Sequence, residues 1–179
     1  MNKEEAVLVI IDIQGKLAHL MHEAKRMHQG IIKTVEVARL FDIPILWTEQ
    51  APAKIGSTIP EIAHVLSDKI PIAKYSFSCY GSAEFVNQLQ LLNRKQIIIV
   101  GIETHVCIFQ TVRDLMQHGY SVELVADAIS ARSEFQHHVG MNRMQQEGAV
   151  ITSTEMLFCD LLKTAEDARF KQVMDIYKR

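Results

Sequence analysis

Short runs rich in β-branched residues, alternating with stretches of helical spacing, constrain this chain more than any other feature. The runs are Ala6–Asp12 (AVLVIID), Pro44–Gln50 (PILWTEQ), Gln96–Gly101 (QIIIVG), Ser121–Asp127 (SVELVAD) and Gly148–Thr152 (GAVIT); KIPIAK, ending at Lys74, reads as a sixth strand. Several are apolar at consecutive positions, the pattern of parallel strands covered on both faces. Between them, Ile31–Phe41, Ser82–Asn93, Thr104–Gly119 and Ser133–Gly148 have helical spacing, and the tail from Ser153 reads as one or two more helices. Ser82, Thr104 and Ser133 are placed as N-terminal caps, and Gly119 and Gly148 as C-terminal glycines. The alternation predicts an α/β fold, a three-layer domain with a mostly parallel sheet spanning residues 1–179. The longest irregular piece is Thr48–Glu61, and loops of that length in compact domains tend to serve as lids or binding loops.

Composition narrows the partners. Of 179 residues 48% are hydrophobic and 22% charged, with a net charge of −2, so the surface does not advertise nucleic acid. The apolar runs fall well short of the roughly 20 residues that span a bilayer, and MNKEEAVLVI lacks a signal-peptide pattern. The three cysteines, Cys79, Cys107 and Cys159, are widely spaced without a C-x-x-C pair, which points away from disulfides and zinc and toward a reducing, cytoplasmic setting. The histidines are scattered, with no H-E-x-x-H spacing, and His137 and His138 read as solvated.

In an open parallel sheet, ligands gather outside the carboxyl ends of the strands. There the first run ends in Asp12, the short run in Lys74, and the Gln96–Gly101 run is followed by Cys107 at a strand-to-helix turn. Each has an ordinary explanation: an Asp capping a turn, a Lys pointing to water, a buried cysteine acting as a small hydrophobe. Together they are what thiol-based acyl transfer needs. A helix start and a neighbouring ammonium would lower the Cys107 pKa and make it substantially thiolate. Asp12 could take the thiol proton and return it to the leaving group, and backbone N–H groups at the helix start could hold an oxyanion.

LVIIDIQ with Asp12 and Gln14, PIAKYSFSCYG with Lys74, and IIIVGIETHVCIFQTVRDLMQHGYSVELVADAISAR with Cys107 together resemble the isochorismatase-like cysteine hydrolase superfamily over nearly the whole chain. The resemblance implies a six-stranded parallel sheet in a Rossmann-like arrangement and an Asp12, Lys74, Cys107 triad. It also implies a cis peptide between Ile102 and Glu103, which would turn the Glu103 and Cys107 amides toward one point as an oxyanion hole. WTEQAPAKIGSTIPEI and KYSFSCYG look most like the small isochorismatase-domain subgroup. Nicotinamidases carry an aspartate and paired histidines for a metal in the corresponding loop, where this chain has Glu49, Gln50 and His64, so neither a metal nor a cofactor is expected.

The expected activity is hydrolysis of a small amide, ureido or related carbonyl substrate through a covalent thioester. The alternative is a catalytically silent, oligomeric interaction module or a thiol redox sensor on the same fold. Gln14 and Gln50 are candidate partners for a substrate amide, and Tyr75, Phe77, His105 and Phe109 candidate walls. Trp47 and Cys159 read as core, Cys79 as a neighbour of the pocket, and the apolar tail helices as a surface for a homo-oligomer.

Overall fold

A computed structural model describes all residues 1–179. Its elements alternate along the chain: β1 (Ala6–Ile11), α1 (Gly15–His19), α2 (Ala24–Leu40), β2 (Ile45–Gln50), α3 (Pro52–Ile55), α4 (Pro60–Val65), β3 (Ile72–Lys74), α5 (Ala83–Leu92), β4 (Gln96–Ile102), α6 (Phe109–Gln117), β5 (Ser121–Ser130), α7 (Glu134–Gln146), β6 (Val150–Thr152), α8 (Thr154–Leu162) and α9 (Phe170–Lys178). The six strands form one parallel sheet in the order β3-β2-β1-β4-β5-β6. Strand order therefore reverses at β1 and β4, and the crevice between their carboxyl ends is where such a sheet places a ligand.

The consecutive apolar residues of β1 are explained by the layers on either side. Ala6, Leu8 and Ile10 join one apolar cluster with residues of α2, α8 and α9, while Val7, Val9 and Ile11 join another with residues of α5, α6 and α7. A strand buried on both faces has no position left for a polar alternation. At the crevice the two central strands approach closely: a Cβ on Gly101, which sits at φ +130°, would fall 2.2 Å from the Ile11 carbonyl oxygen. Only glycine fits there.

Helix ends mostly follow the sequence expectation. Ser82 and Ser133 accept hydrogen bonds from the Phe85 and Gln136 amides at 3.4 and 3.3 Å, and Gly119 and Gly148 take positive φ beyond α6 and α7. Thr104 is not a cap: the chain enters α6 through a wide π-type turn, Thr104–Ile108, preceded by Glu103 with no side-chain cap. The helix expected from Ile31 begins at Ala24, and β5 continues past Asp127 to Ser130.

The Thr48–Glu61 stretch is more ordered than its prolines and glycine suggest. β2 runs to Gln50, α3 follows, Thr58 bridges back to Gln14, and α4 starts at Pro60. Trp47 is core, with its indole N–H donating to Thr58 Oγ1 at 2.9 Å. Cys159 is exposed, contrary to expectation, because α8 buries the side carrying Leu157, Phe158, Leu161 and Leu162 and leaves Cys159 and Met156 outside it. No helix is long and apolar enough to cross a membrane.

Candidate active site

β1 ends in a left-handed residue, Asp12 at φ +57°, a conformation an aspartate tolerates better than most side chains. Its carboxylate is buried and fully engaged. Oδ2 accepts from Lys74 Nζ at 2.7 Å and Oδ1 from Thr48 Oγ1 at 2.8 Å. Lys74, at the end of β3, has a side chain with no exposed surface and further donates to Gln50 Oε1 at 2.7 Å and to the carbonyls of Phe77 and Ser76 at 3.0 and 3.2 Å. An ammonium taken wholly out of water persists only when its donors are met in this way.

Across the crevice, β4 delivers the Ile102–Glu103 peptide, which is cis, and then the turn carrying Cys107. Glu103 accepts a hydrogen bond from Arg132 Nε at 3.0 Å, and Thr104 Oγ1 meets His137 Nδ1 at 3.0 Å, tying the turn to the residues after β5 and to α7. His137 is thus not simply solvated. Asp12, Glu103 and Cys107 line one cavity of about 170 Å³, walled by Leu17, Ile55, Phe77, Ile102 and Val106.

The thiol is not acidified. Burial and the negative charge of Asp12 push Cys107 up to about 12; Lys74 works the other way, and a hydrogen bond to Asp12 also favours the protonated form. The expectation of a standing thiolate fails because it counted the ammonium and the helix start without the carboxylate on the same side and the loss of water. The resting arrangement is a neutral thiol beside a carboxylate that can receive its proton. For Lys74, burial favours the neutral form, but Cys79, Asp12 and Cys107 outweigh it and leave its pKa raised.

The weaker sequence candidates divide. Phe77 is a wall of the cavity and half exposed. Gln14 and Gln50 also border it, but the Gln14 amide is spent on the protein and Gln50 keeps a single uncommitted N–H. Gln14 Nε2 donates to the Gln50 and Gly56 carbonyls at 3.0 and 2.6 Å, its Oε1 accepts from the Gln50 amide at 2.6 Å, and Gln50 Nε2 donates to the Tyr75 carbonyl at 2.8 Å. Both brace the loop, and Gln14 has no donor or acceptor left to grip a substrate. Tyr75 is 75% exposed and outside the cavity. His105 and Phe109 line a separate cavity against α7 with Gln136 and Val139; each is two positions from Cys107 and so on the opposite side of the helical turn. Glu49 accepts from the Thr58 amide and hydroxyl at 2.7 and 2.8 Å. Cys79 is fully buried, 3.8 Å from Thr48 Oγ1, with its thiol pushed up to about 11 by burial against the pull of Lys74. Sequence reasoning missed Thr48, whose only mark is a hydroxyl inside an apolar strand, and Leu17, Ile55 and Val106, which carry no mark at all.

The Isochorismatase domain family matches residues 6–156. This chain belongs to the isochorismatase family. Among relatives, mouse isochorismatase domain-containing protein 2A is 34% identical over 178 residues, covering 98% of this chain and 84% of its own. Among solved structures, one described as the MAR1 ribonuclease of Caenorhabditis elegans is 30% identical with a TM-score of 0.92, covering 100% of this chain and 92% of its own. The YcaC protein of Escherichia coli, described as an octameric hydrolase of unknown specificity, has the same fold with a TM-score of 0.89 at 22% identity, covering 99% of this chain and 96% of its own. The isochorismatase-family proteins are hydrolases, and the fold described above is that of a member.

Proposed function

We propose that this isochorismatase-family hydrolase is a cysteine amidohydrolase acting on a small amide, ureido or related carbonyl compound. The observation that carries the reading is the buried Asp12–Lys74 pair, 2.7 Å apart, lying in the same crevice as the Cys107 thiol. The Cys107 sulfur bonds to the carbonyl carbon as its proton passes to Asp12, giving a tetrahedral oxyanion held by the Glu103 and Cys107 amides. The C–N bond then breaks, and Asp12 hands the proton to the leaving nitrogen. Water attacks the thioester, its proton passing through Asp12 back to the sulfur, and the acid leaves. Lys74 keeps Asp12 in place and balances its charge. A neutral resting thiol suits this sequence, because proton removal is coupled to attack.

The nematode protein's description as a ribonuclease finds little support in this crevice. Phosphodiesters are gripped by exposed cations, whereas Lys74 is buried with its donors spent and the chain's net charge is −2. We place the protein in the cytoplasm on its three unpaired cysteines, and we propose a homo-oligomer, in keeping with exposed Met156 and Phe170 on the tail helices.

The test pairs turnover with thiol reactivity. Cys107→Ala should abolish ammonia release from a panel of small amides, a fall of more than about 10³-fold, while the protein stays folded. Asp12→Asn should move two readings in opposite directions: Cys107 is alkylated faster at pH 7, because a negative neighbour is gone, yet hydrolysis slows. Retained turnover in Cys107→Ala refutes the covalent route.

A further inference from the structure

We infer that the substrate of this site is an uncharged amide with a short hydrocarbon acyl group, and that compounds bearing a carboxylate are rejected; this rests on the hydrolase reading above. The inference comes from asking which polar groups at the cavity remain free to meet a ligand. Gln14 has both amide protons and its oxygen committed to backbone, and Gln50 is held by the Tyr75 carbonyl and Lys74, which leaves one neutral Gln50 N–H and no cation to meet a ligand side chain. Lys74 has four acceptors for its three protons and no exposed side-chain surface. The charged side chain that borders the cavity beside Cys107 is Asp12, while Lys74 and Arg132 do not line it; the Glu103 carboxylate is turned to Arg132.

A ligand carboxylate would therefore lose its water, find no cation lining the cavity and face the like charge of Asp12. A hydrocarbon group would instead meet Leu17, Ile102 and Val106, and cover Ile55 and Phe77, which are 36% and 53% exposed at the rim. The cavity of about 170 Å³ is roomy enough for a butyramide-sized molecule. The same electrostatics serve turnover. Hydrolysis turns a neutral amide into a carboxylate, which the site then repels.

Two alkylating agents of nearly equal size test this on the full chain without requiring turnover. Iodoacetamide is neutral and iodoacetate anionic; the ratio of their rates at Cys107, read by peptide mass spectrometry, is divided by the same ratio for the urea-unfolded chain. The folded protein should favour iodoacetamide by at least about tenfold beyond the unfolded one. Leu17→Lys, which puts an ammonium on the wall, should bring the ratio back toward the unfolded value. A ratio equal to the unfolded value, or reversed, overturns the inference, as does a Leu17→Lys protein that still rejects iodoacetate. Ammonia release separates this from the underlying reading. Equal release from isobutyramide and succinamate overturns the selectivity and leaves the hydrolase standing, whereas a tenfold alkylation preference with no release from any neutral amide overturns the hydrolase and leaves the selectivity standing.

Discussion

On the β1–β2–β3 side of the crevice, Asp12, Thr48, Lys74, Gln14 and Gln50 form a closed network in which each side chain holds at least one other or the loop behind it. On the β4–α6 side the crevice is bounded by main chain, from the cis peptide at Ile102 to the turn at Cys107, with two side-chain ties: Glu103 to Arg132 and Thr104 to His137. One wall is thus fixed by buried charge and the other by backbone shape. The difference teaches where sensitivity should lie. Removing a member of the network leaves a buried group without its partner, whereas removing one tie of the turn loosens a surface that neighbouring elements still support.

The largest effect should come from Lys74→Ala. It leaves the Asp12 carboxylate buried without its cation, and breaking such a pair from one side costs ~3–5 kcal/mol. The urea midpoint should drop accordingly, and Asp12→Asn in the same chain should recover part of the loss. If Lys74→Ala unfolds at nearly the wild-type midpoint, the network does not hold this wall.

The residues of the charged wall were more legible in the sequence than those of the backbone wall, for a physical reason. Asp12 and Lys74 stand out not singly, since each has an ordinary explanation, but together, as opposite charges ending apolar strands at the edge where such a sheet gathers ligands. The strands themselves show because burial on both faces forbids polar positions. Cys107 was visible by position, yet its acidity was misread. That property depends on Asp12, nearly a hundred residues away, and on water that only the folded chain excludes. His105 and Phe109 were placed in the wrong cavity because they were judged by closeness in sequence to Cys107, whereas residues two positions away lie on the opposite side of a helical turn. Cys159 was taken as core because spacing shows that α8 has an apolar face, though not where its buried side ends. Thr48 passed as an ordinary β-branched strand residue, since its bond to Asp12 joins two strands.

A second, smaller effect depends on pH and probes the thiol behind the charged wall. Cys79 has a folded pKa of about 11 against an ordinary 9.0, so the folded chain keeps its proton where the unfolded chain has lost it. The associated stability is whole below pH 9 and declines as pH rises toward 11, by up to ~2–3 kcal/mol. Cys107 and Lys74 shift in the same direction, so Cys79→Ala should reduce the slope of the urea midpoint against pH without removing it. A slope unchanged in Cys79→Ala would mean that this thiol is not held neutral by the fold.

The smallest effect is the one that compares the walls directly, through two threonines each replaced by nearly isosteric valine. Thr48→Val deprives Asp12 Oδ1 of its 2.8 Å donor inside the network. Hydrogen bonds to charged groups are worth about 1.5–3 kcal/mol, and that loss should appear in the urea midpoint. Thr104→Val removes a 3.0 Å bond to His137, which burial and the neighbouring His138, Arg26 and His22 hold below the ordinary histidine pKa and so neutral at pH 7. A neutral bond of this kind is worth about 1 kcal/mol. Its consequence should fall more on rate than on stability, because the turn that presents the Glu103 and Cys107 amides is held on the α7 side by this tie, and small misplacements at reacting atoms cost ~10²-fold. Thr48→Val should therefore be the less stable protein and Thr104→Val the one whose kcat falls further relative to its loss of stability. If Thr104→Val destabilises as much as Thr48→Val at unchanged kcat, the tie is ordinary packing and the backbone wall is positioned from within β4 alone.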